Sequence, residues 1–303
     1  MGKKTKVALA IAAASAAAWA GSKAISKPQK RESKEALQFE RPIIIAQHGG
    51  AALAPEHSLL AFEQASTHGV DGFAVSVRLT KDEEIIAFHD ATVDHTTNGA
   101  GAVKDLTLEE LQQLNIGYYF ESLDGTRPYK EEAVSVVTLR ELFESYPNKL
   151  FIVSIQDSPD TYEGSLMPSK LWRLIEELDI QYQIIVTSPY SEQIDRFNLY
   201  AQNRIALGAG ESDVKKAMTA FTSQFGHLYH PKVDLFVVPL KTGVFNYDSP
   251  RFVKFLEDLN IPTIYKDIDD LMTMNRLLRQ GAMGIITNRP DIAALINETY
   301  TNE

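Results

Sequence analysis

Residues 72–90 read GFAVSVRLTKDEEIIAFHD and end on His89 and Asp90, an imidazole beside a carboxylate. An imidazole that titrates near neutrality, steadied by a carboxylate, can give or take a proton. The run leading to the pair puts Ala74 and Ser76 at alternate positions, which share one face of a strand. That face therefore carries no charge. Other polar residues close short apolar runs: Gln47 and His48, Ser154 and Gln156, Thr187 and Ser188, Lys241, Tyr265 and Lys266, and Thr287 and Asn288. Carboxylates are almost missing from this set.

The runs themselves explain why their ends matter. Apolar, β-branched stretches recur at 42–48, 72–77, 150–155, 183–188, 204–209, 234–240, 261–265 and 284–287, and helical patterns with apolar residues three and four apart lie between them. Strands alternating with helices eight times predict an α/β fold, a (β/α)8 TIM barrel, whose chemistry sits at the C-terminal ends of the strands. EIIAFHD follows GFAVSVRLT too closely for a parallel crossover, so it is read as an antiparallel hairpin arm. A small insertion, 91–137, interrupts the alternation after the second strand with a Gly- and Asn-rich turn, a short helix at TLEELQQL and three tyrosines.

Charge is unevenly placed. The first 35 residues hold eight Lys or Arg and two Glu, so a formal total of −10 leaves −16 for the remainder. A body this acidic excludes nucleic acid as a partner, because phosphates require a basic footprint. The Lys-rich start precedes an apolar stretch, Val7 to Gly21, that matches a secretory signal peptide with Ala18-Trp19-Ala20 as a cleavage site. Uncleaved, Val7 to Ile25 is a marginal membrane span. Residues 1–35 are thus expected to be a signal peptide or membrane anchor plus basic linker, the membrane a partner, the location membrane-anchored or secreted, and the 36–303 domain extracytoplasmic. With no cysteine in the chain, disulfides and thiolate sites are excluded.

Residues 42–292 resemble the glycerophosphodiester phosphodiesterase family of PLC-like phosphodiesterases. IAQHGG stands where the family has H-R-G-G, APEH where it has A-P-E-N, GFAVSVRLTKDE where it has G-x-E-x-D-V-x-x-T-K-D-G, and FHD, DHTTNGAG and GIITNRP follow in register. The resemblance implies the barrel, two catalytic histidines and three carboxylates holding a divalent metal on a phosphodiester. Carried over, the first histidine falls on Gln47 and its neighbouring Arg on His48, the metal carboxylates fall on Ala74, Ser76 and Ser154, a Lys falls on Gln156, and an Asp falls on Asn288. His89 is the catalytic histidine retained, with Glu56, Asp90 and the turn at Thr96 to Gly99.

Hard cations need charged oxygen ligands, and neither Ala74 nor the neutral hydroxyls of Ser76 and Ser154 provide them. Gln47 cannot exchange a proton near neutrality. The expectation is therefore a divergent member without a metal site or bound cofactor, catalytically impaired or inactive, that binds a glycerophosphodiester, an anionic polymer or a protein partner. The alternative is an active enzyme that forms glycerol 3-phosphate and an alcohol at a rebuilt site with Mg²⁺ or Ca²⁺. Glu56, Asp157 and Asp267 are its candidate ligands. His48 follows Gln47 in a strand and is expected on the opposite face, unless the backbone turns there. His57, His68, His95, His227 and His230 show no metal spacing. Gly49 and Gly50 allow either close approach to a phosphate or a simple turn, and Lys241 and Lys266 are candidates for attracting an anion.

Overall fold

The computed structural model describes residues 17–26 and 28–301. Its strands are β1 (Ile43–Gln47), β2 (Gly72–Leu79), β3 (Ile85–Ala87), β4 (Leu150–Ile155), β5 (Ile184–Thr187), β6 (Ala206–Leu207), β7 (Phe236–Val238), β8 (Lys241–Thr242), β9 (Phe245–Asn246), β10 (Thr263–Tyr265) and β11 (Gly284–Thr287). Eight of them run parallel in the order β6-β5-β4-β2-β1-β11-β10-β7, and the sheet curls as in a TIM barrel. A parallel bridge, Gly208 to Leu235, joins the two ends of that order. β3 pairs antiparallel with β2, as the short connection requires.

Helices follow the strands, after a first helical stretch at 17–25, α1. These are α2 (Leu59–Thr67), α3 (Leu108–Gln112), α4 (Leu139–Ser145), α5 (Tyr162–Leu178), α6 (Ser191–Ala201), α7 (Glu211–Thr222), α8 (Pro250–Glu257), α9 (Leu271–Arg279) and α10 (Pro290–Thr301). Their starts are written locally. Ser58, Thr161 and Asp270 cap α2, α5 and α9, and Thr107 with Glu110 and Thr138 with Glu141 form capping boxes on α3 and α4.

The period of two along each strand sorts the core. Ile44, Ala46, Val75, Val77, Val153 and Ile155 pack outward among the helices, with Phe62, Phe73, Phe143 and Phe151. Ile43, Ile45, Leu150, Ile152, Ile185 and Ile286 form a separate inner cluster. Continuing the inner parity toward the C-terminal ends brings Gln47, Ala74, Ser76, Ser154 and Thr187, so the interior passes from apolar to polar along the strands. Gly72 opens β2 where a Cβ would strike the carbonyl of Leu150 on β4. Gly72→Ala is expected to cost about 1–3 kcal/mol in urea unfolding, the usual range for overpacking, and an unchanged midpoint would refute that.

The insertion packs a small separate core of Val93, Val103, Leu111, Ile116 and Val136 against Ile86 and Phe88 of the preceding arm. Buried Asn115 ties it together, donating to the Tyr129 and Lys130 carbonyls while its Oδ1 accepts from Gly117 and Val134 N–H. The turn at 96–99 is held by Thr97, whose hydroxyl donates to the Val93 carbonyl and accepts from Gly99 N–H. The β8–β9 hairpin was not foreseen; its two-residue strands are too short to leave a pattern.

The N-terminal reading changes. Among the described residues no helix is long and apolar enough to cross a membrane, and residues 1–16 of the expected signal lie outside the described ones. What is described packs on the body. Trp19 Nε1 donates to the Gln224 carbonyl, Ser22 Oγ meets His227 Nε2 at 2.8 Å and Ser26 Oγ donates to the His227 carbonyl. Arg31 pairs with Asp234, and a 3₁₀ turn at Glu35–Leu37 places Ala36 in the inner cluster. The basic stretch is no free linker, and the expected anchor, membrane partner and extracytoplasmic location are set aside with it.

Candidate functional site

A cavity of ≈ 410 Å³ opens at the C-terminal ends of the strands. Gln47, His48, Ala74, Ser76, His89, Ser154, Gln156 and Lys266 all line it, as expected from their places at strand ends. Lys241 is exposed in β8 and does not. Gly49 and Gly50 have φ of 84° and 90° and lie too close to Ala61 and Pro290 for a side chain, so turn geometry accounts for them. Asp157 is committed elsewhere, accepting from Arg78 Nη1 and Leu79 N–H, with burial pushing its carboxyl above the usual range. Asp267 accepts from Gln47 Nε2 at 2.8 Å.

The largest departure is at His48. Its φ of 52° turns the chain out of the strand, so it lines the cavity beside Gln47 instead of facing away. His57, at φ 59°, donates its N–H to the His48 carbonyl at 2.8 Å and closes the loop. The two imidazoles stack with centroids 4.1 Å apart. Glu56 lies between them, Oε2 3.2 Å from His48 Nδ1 and Oε1 3.9 Å from His57 Nδ1. His48, Glu56 and His57 are thus a group able to hold a metal ion, with ligand atoms within 4.8 Å of one another.

This group corrects four expectations at once. A metal-holding set is present where none was expected, a cofactor is therefore expected, His57 belongs to it despite its unpromising spacing, and the reading of an inactive, pseudoenzyme-like member is withdrawn. The cavity floor does lack carboxylates at Ala74, Ser76 and Ser154. The donors have instead been assembled one loop away.

Hydrogen bonds set the ring protons. Glu56 can only accept, so His48 carries its proton on Nδ1 and its Nε2 accepts from Ser76 Oγ at 3.3 Å, while Gln156 Nε2 donates to Ser76 Oγ. A hydroxyl can reverse its role, so His48 can change tautomer and present Nδ1 to a cation. His57 Nε2 accepts from the backbone N–H of Ser76 at 3.1 Å, and an amide cannot reverse. His57 Nδ1 therefore carries a proton in the free site and ligates only after that proton leaves and the Ser76 bond is given up. The donor set fits a metal ion, with His48 and Glu56 the two readier donors.

Burial, with the neighbouring imidazoles of His48 and His89 adding to it, holds the His57 pKa well below 6.5. The unfolded chain takes up this proton and the folded one does not. Stability is therefore full above pH 6.5 and declines as pH falls toward the folded pKa, by up to about 1.4 kcal/mol per pH unit. His57→Asn is expected to flatten that slope in urea unfolding with chelator present, and an unaltered slope would assign the acid lability elsewhere.

His89 Nδ1 is 2.9 Å from Asp90 Oδ1 and its ring centroid is 5.5 Å from that of His48, so His89 lines the same cavity while Asp90 does not. Lys266 also lines it and has no ion-pair partner among the described residues.

Comparison with known proteins agrees with this architecture. The model of the glycerophosphoryl diester phosphodiesterase family matches residues 48–292. A glycerophosphodiester phosphodiesterase of Caldanaerobacter subterraneus subsp. tengcongensis is 31% identical over 266 residues, 85% of this chain and 97% of that protein. One of Bacillus subtilis is 26% identical, over 87% and 89%. The glycerophosphoryl diester phosphodiesterase domain of a Mycobacterium tuberculosis protein superposes with a TM-score of 0.74 at 16% identity, covering 85% of this chain and 100% of that one. An Oleispira antarctica phosphodiesterase solved with the product sn-glycerol-3-phosphate superposes with a TM-score of 0.66 at 19% identity, over 85% and 97%. By the extent of the family match and the likeness of 85% of its length to the Caldanaerobacter protein, this chain belongs to the glycerophosphoryl diester phosphodiesterase family.

Proposed function

We propose that the protein hydrolyses glycerophosphodiesters to glycerol 3-phosphate and an alcohol at a rebuilt site. The observation that carries this reading is the His48, Glu56 and His57 group joined, through His48, to the cavity that His89 also lines. A cation held by those three residues would supply Lewis-acid stabilisation of the phosphoryl oxygens. Lys266 brings positive charge to the phosphate. Ser76, Ser154 and Gln156 offer neutral donors on the cavity floor. His89, oriented through Nδ1 by Asp90, keeps Nε2 to protonate the departing alkoxide as its bond to phosphorus breaks and water adds; the proton lost by that water passes to solvent, from which His89 is reprotonated.

We also take residues 36–303 as one domain of closed (β/α)8 type with 91–137 as its insertion, a reading supported by the Gly208–Leu235 bridge and the insertion's separate core. The test of function is glycerophosphocholine hydrolysis by the full chain, stripped of metal and then assayed with added divalent cations and with chelator. Chelator-sensitive release of glycerol 3-phosphate is expected. Absence of turnover with every cation would end the proposal.

A further inference from the structure

We propose that the cation of this site is of the zinc class, borderline and imidazole-seeking, and not a hard cation such as Mg²⁺ or Ca²⁺. This rests on the reading that a cation assists the reaction. The donors are two imidazoles and one carboxylate, the mixed nitrogen and oxygen set of hydrolytic zinc sites with a position left open for water or substrate. Hard cations instead take six or more oxygens, with several charged carboxylates among them for Ca²⁺.

For Ca²⁺ the surrounding carboxylates are engaged elsewhere, and for Mg²⁺, which keeps several waters of its own, two imidazoles are the mismatch. Asp90 is bonded to His89, Asp267 to Gln47, Asp157 to Arg78 and Leu79, and Glu211 to Lys215. Glu56 is the carboxylate placed between the two rings. Ligation by His57 also carries the cost of its Nδ1 proton and of the Ser76 N–H bond. A cation with strong imidazole affinity can offset that cost, and one that prefers water oxygens cannot. Both histidines sit at positive φ and are locked by the His57 N–H to His48 carbonyl bond, a local strain that persists where surrounding structure over-determines it and that clusters at functional sites.

The experiment uses the full chain stripped by chelator, dialysed against Zn²⁺ or against Mg²⁺ or Ca²⁺ in large excess, with bound metal per chain measured by elemental analysis and the unfolding midpoint by thermal melting. One zinc per chain and a raised midpoint are expected, with Mg²⁺ and Ca²⁺ producing neither. His48→Ala and Glu56→Gln should each weaken zinc binding by about 100-fold or more while circular dichroism stays unchanged. Zinc retained in both variants, or Mg²⁺ bound as tightly as Zn²⁺, would overturn the proposal. Zinc bound without any hydrolysis would leave it standing and overturn the proposed function. Magnesium-dependent hydrolysis without zinc binding would overturn it and leave that function in place.

Discussion

Replacing His89 by alanine is expected to lower kcat for glycerophosphocholine by about 10²–10⁴-fold, the contribution of a positioned general acid. The side chain is about half exposed at the cavity and makes its described hydrogen bond to the adjacent Asp90. Removing it leaves no cavity in the core and no buried group unpaired, so stability should hold within about 0.5 kcal/mol. The expected signature is a fall in kcat with KM little changed, since the proton is needed at the leaving oxygen and not for binding. Asp90→Asn should give a smaller fall, because the ring keeps its place while losing the charge that steadies its protonated form. A His89→Ala enzyme that keeps more than a tenth of the parent rate would mean that another group supplies the proton. In the chain free of metal, His48, with its ring centroid 5.5 Å from that of His89 on the same cavity, would be one alternative.

The second large effect lies far from the chemistry. Arg31→Ala is expected to destabilise the fold by about 3–5 kcal/mol, the range for breaking a buried ion pair, and to lower the thermal midpoint by about 5–15 °C. Asp234 has a side chain 1% exposed and uses both oxygens. Oδ1 accepts from Arg31 Nε at 2.9 Å and Nη2 at 2.6 Å, and Oδ2 accepts from the Leu207 N–H at 3.0 Å. One carboxylate therefore fastens the N-terminal stretch to the seam between β6 and β7. Alanine at 31 leaves that carboxylate buried with a single partner. Truncation before residue 36 should do the same and also remove the Asn260 bond to the Arg31 carbonyl. In an Asp234→Asn background the penalty of Arg31→Ala should shrink, because no charge is then stranded. If Arg31→Ala changes urea unfolding by less than about 0.5 kcal/mol, the pair is a surface contact and the stretch is dispensable.

Much of the fold was legible because it depends on local periodicity. Alternation put Ala74 and Ser76 on one face of β2, and the strand ends gave much of the cavity lining, Gln47, Ser154, Gln156, Thr187 and Lys266 among it, though not Lys241, Tyr265, Thr287 or Asn288. The antiparallel arm at Ile85–Ala87 followed from a connection too short for anything else. The N-terminal stretch misled because composition reports apolarity and charge but not contact. Arg31 and Asp234 are 203 residues apart, and no local pattern links them.

The amino-acid order by itself determined the strand and helix alternation, the loss of carboxylates at Ala74, Ser76 and Ser154, and the place of His89 and Asp90 at a strand mouth. Tertiary structure alone decided where the replacement donors stand. His48 breaks the alternation through a positive φ, and its carbonyl there accepts a backbone bond from His57, whose ring is held in turn by the Ser76 amide on a neighbouring strand. Periodicity assumes an extended chain, so it sent His48 to the wrong face. Spacing rules assume a helix or a strand between ligands, and the loop from 48 to 57 is neither. A metal-holding group whose geometry depends on two left-handed residues becomes visible when the chain is folded.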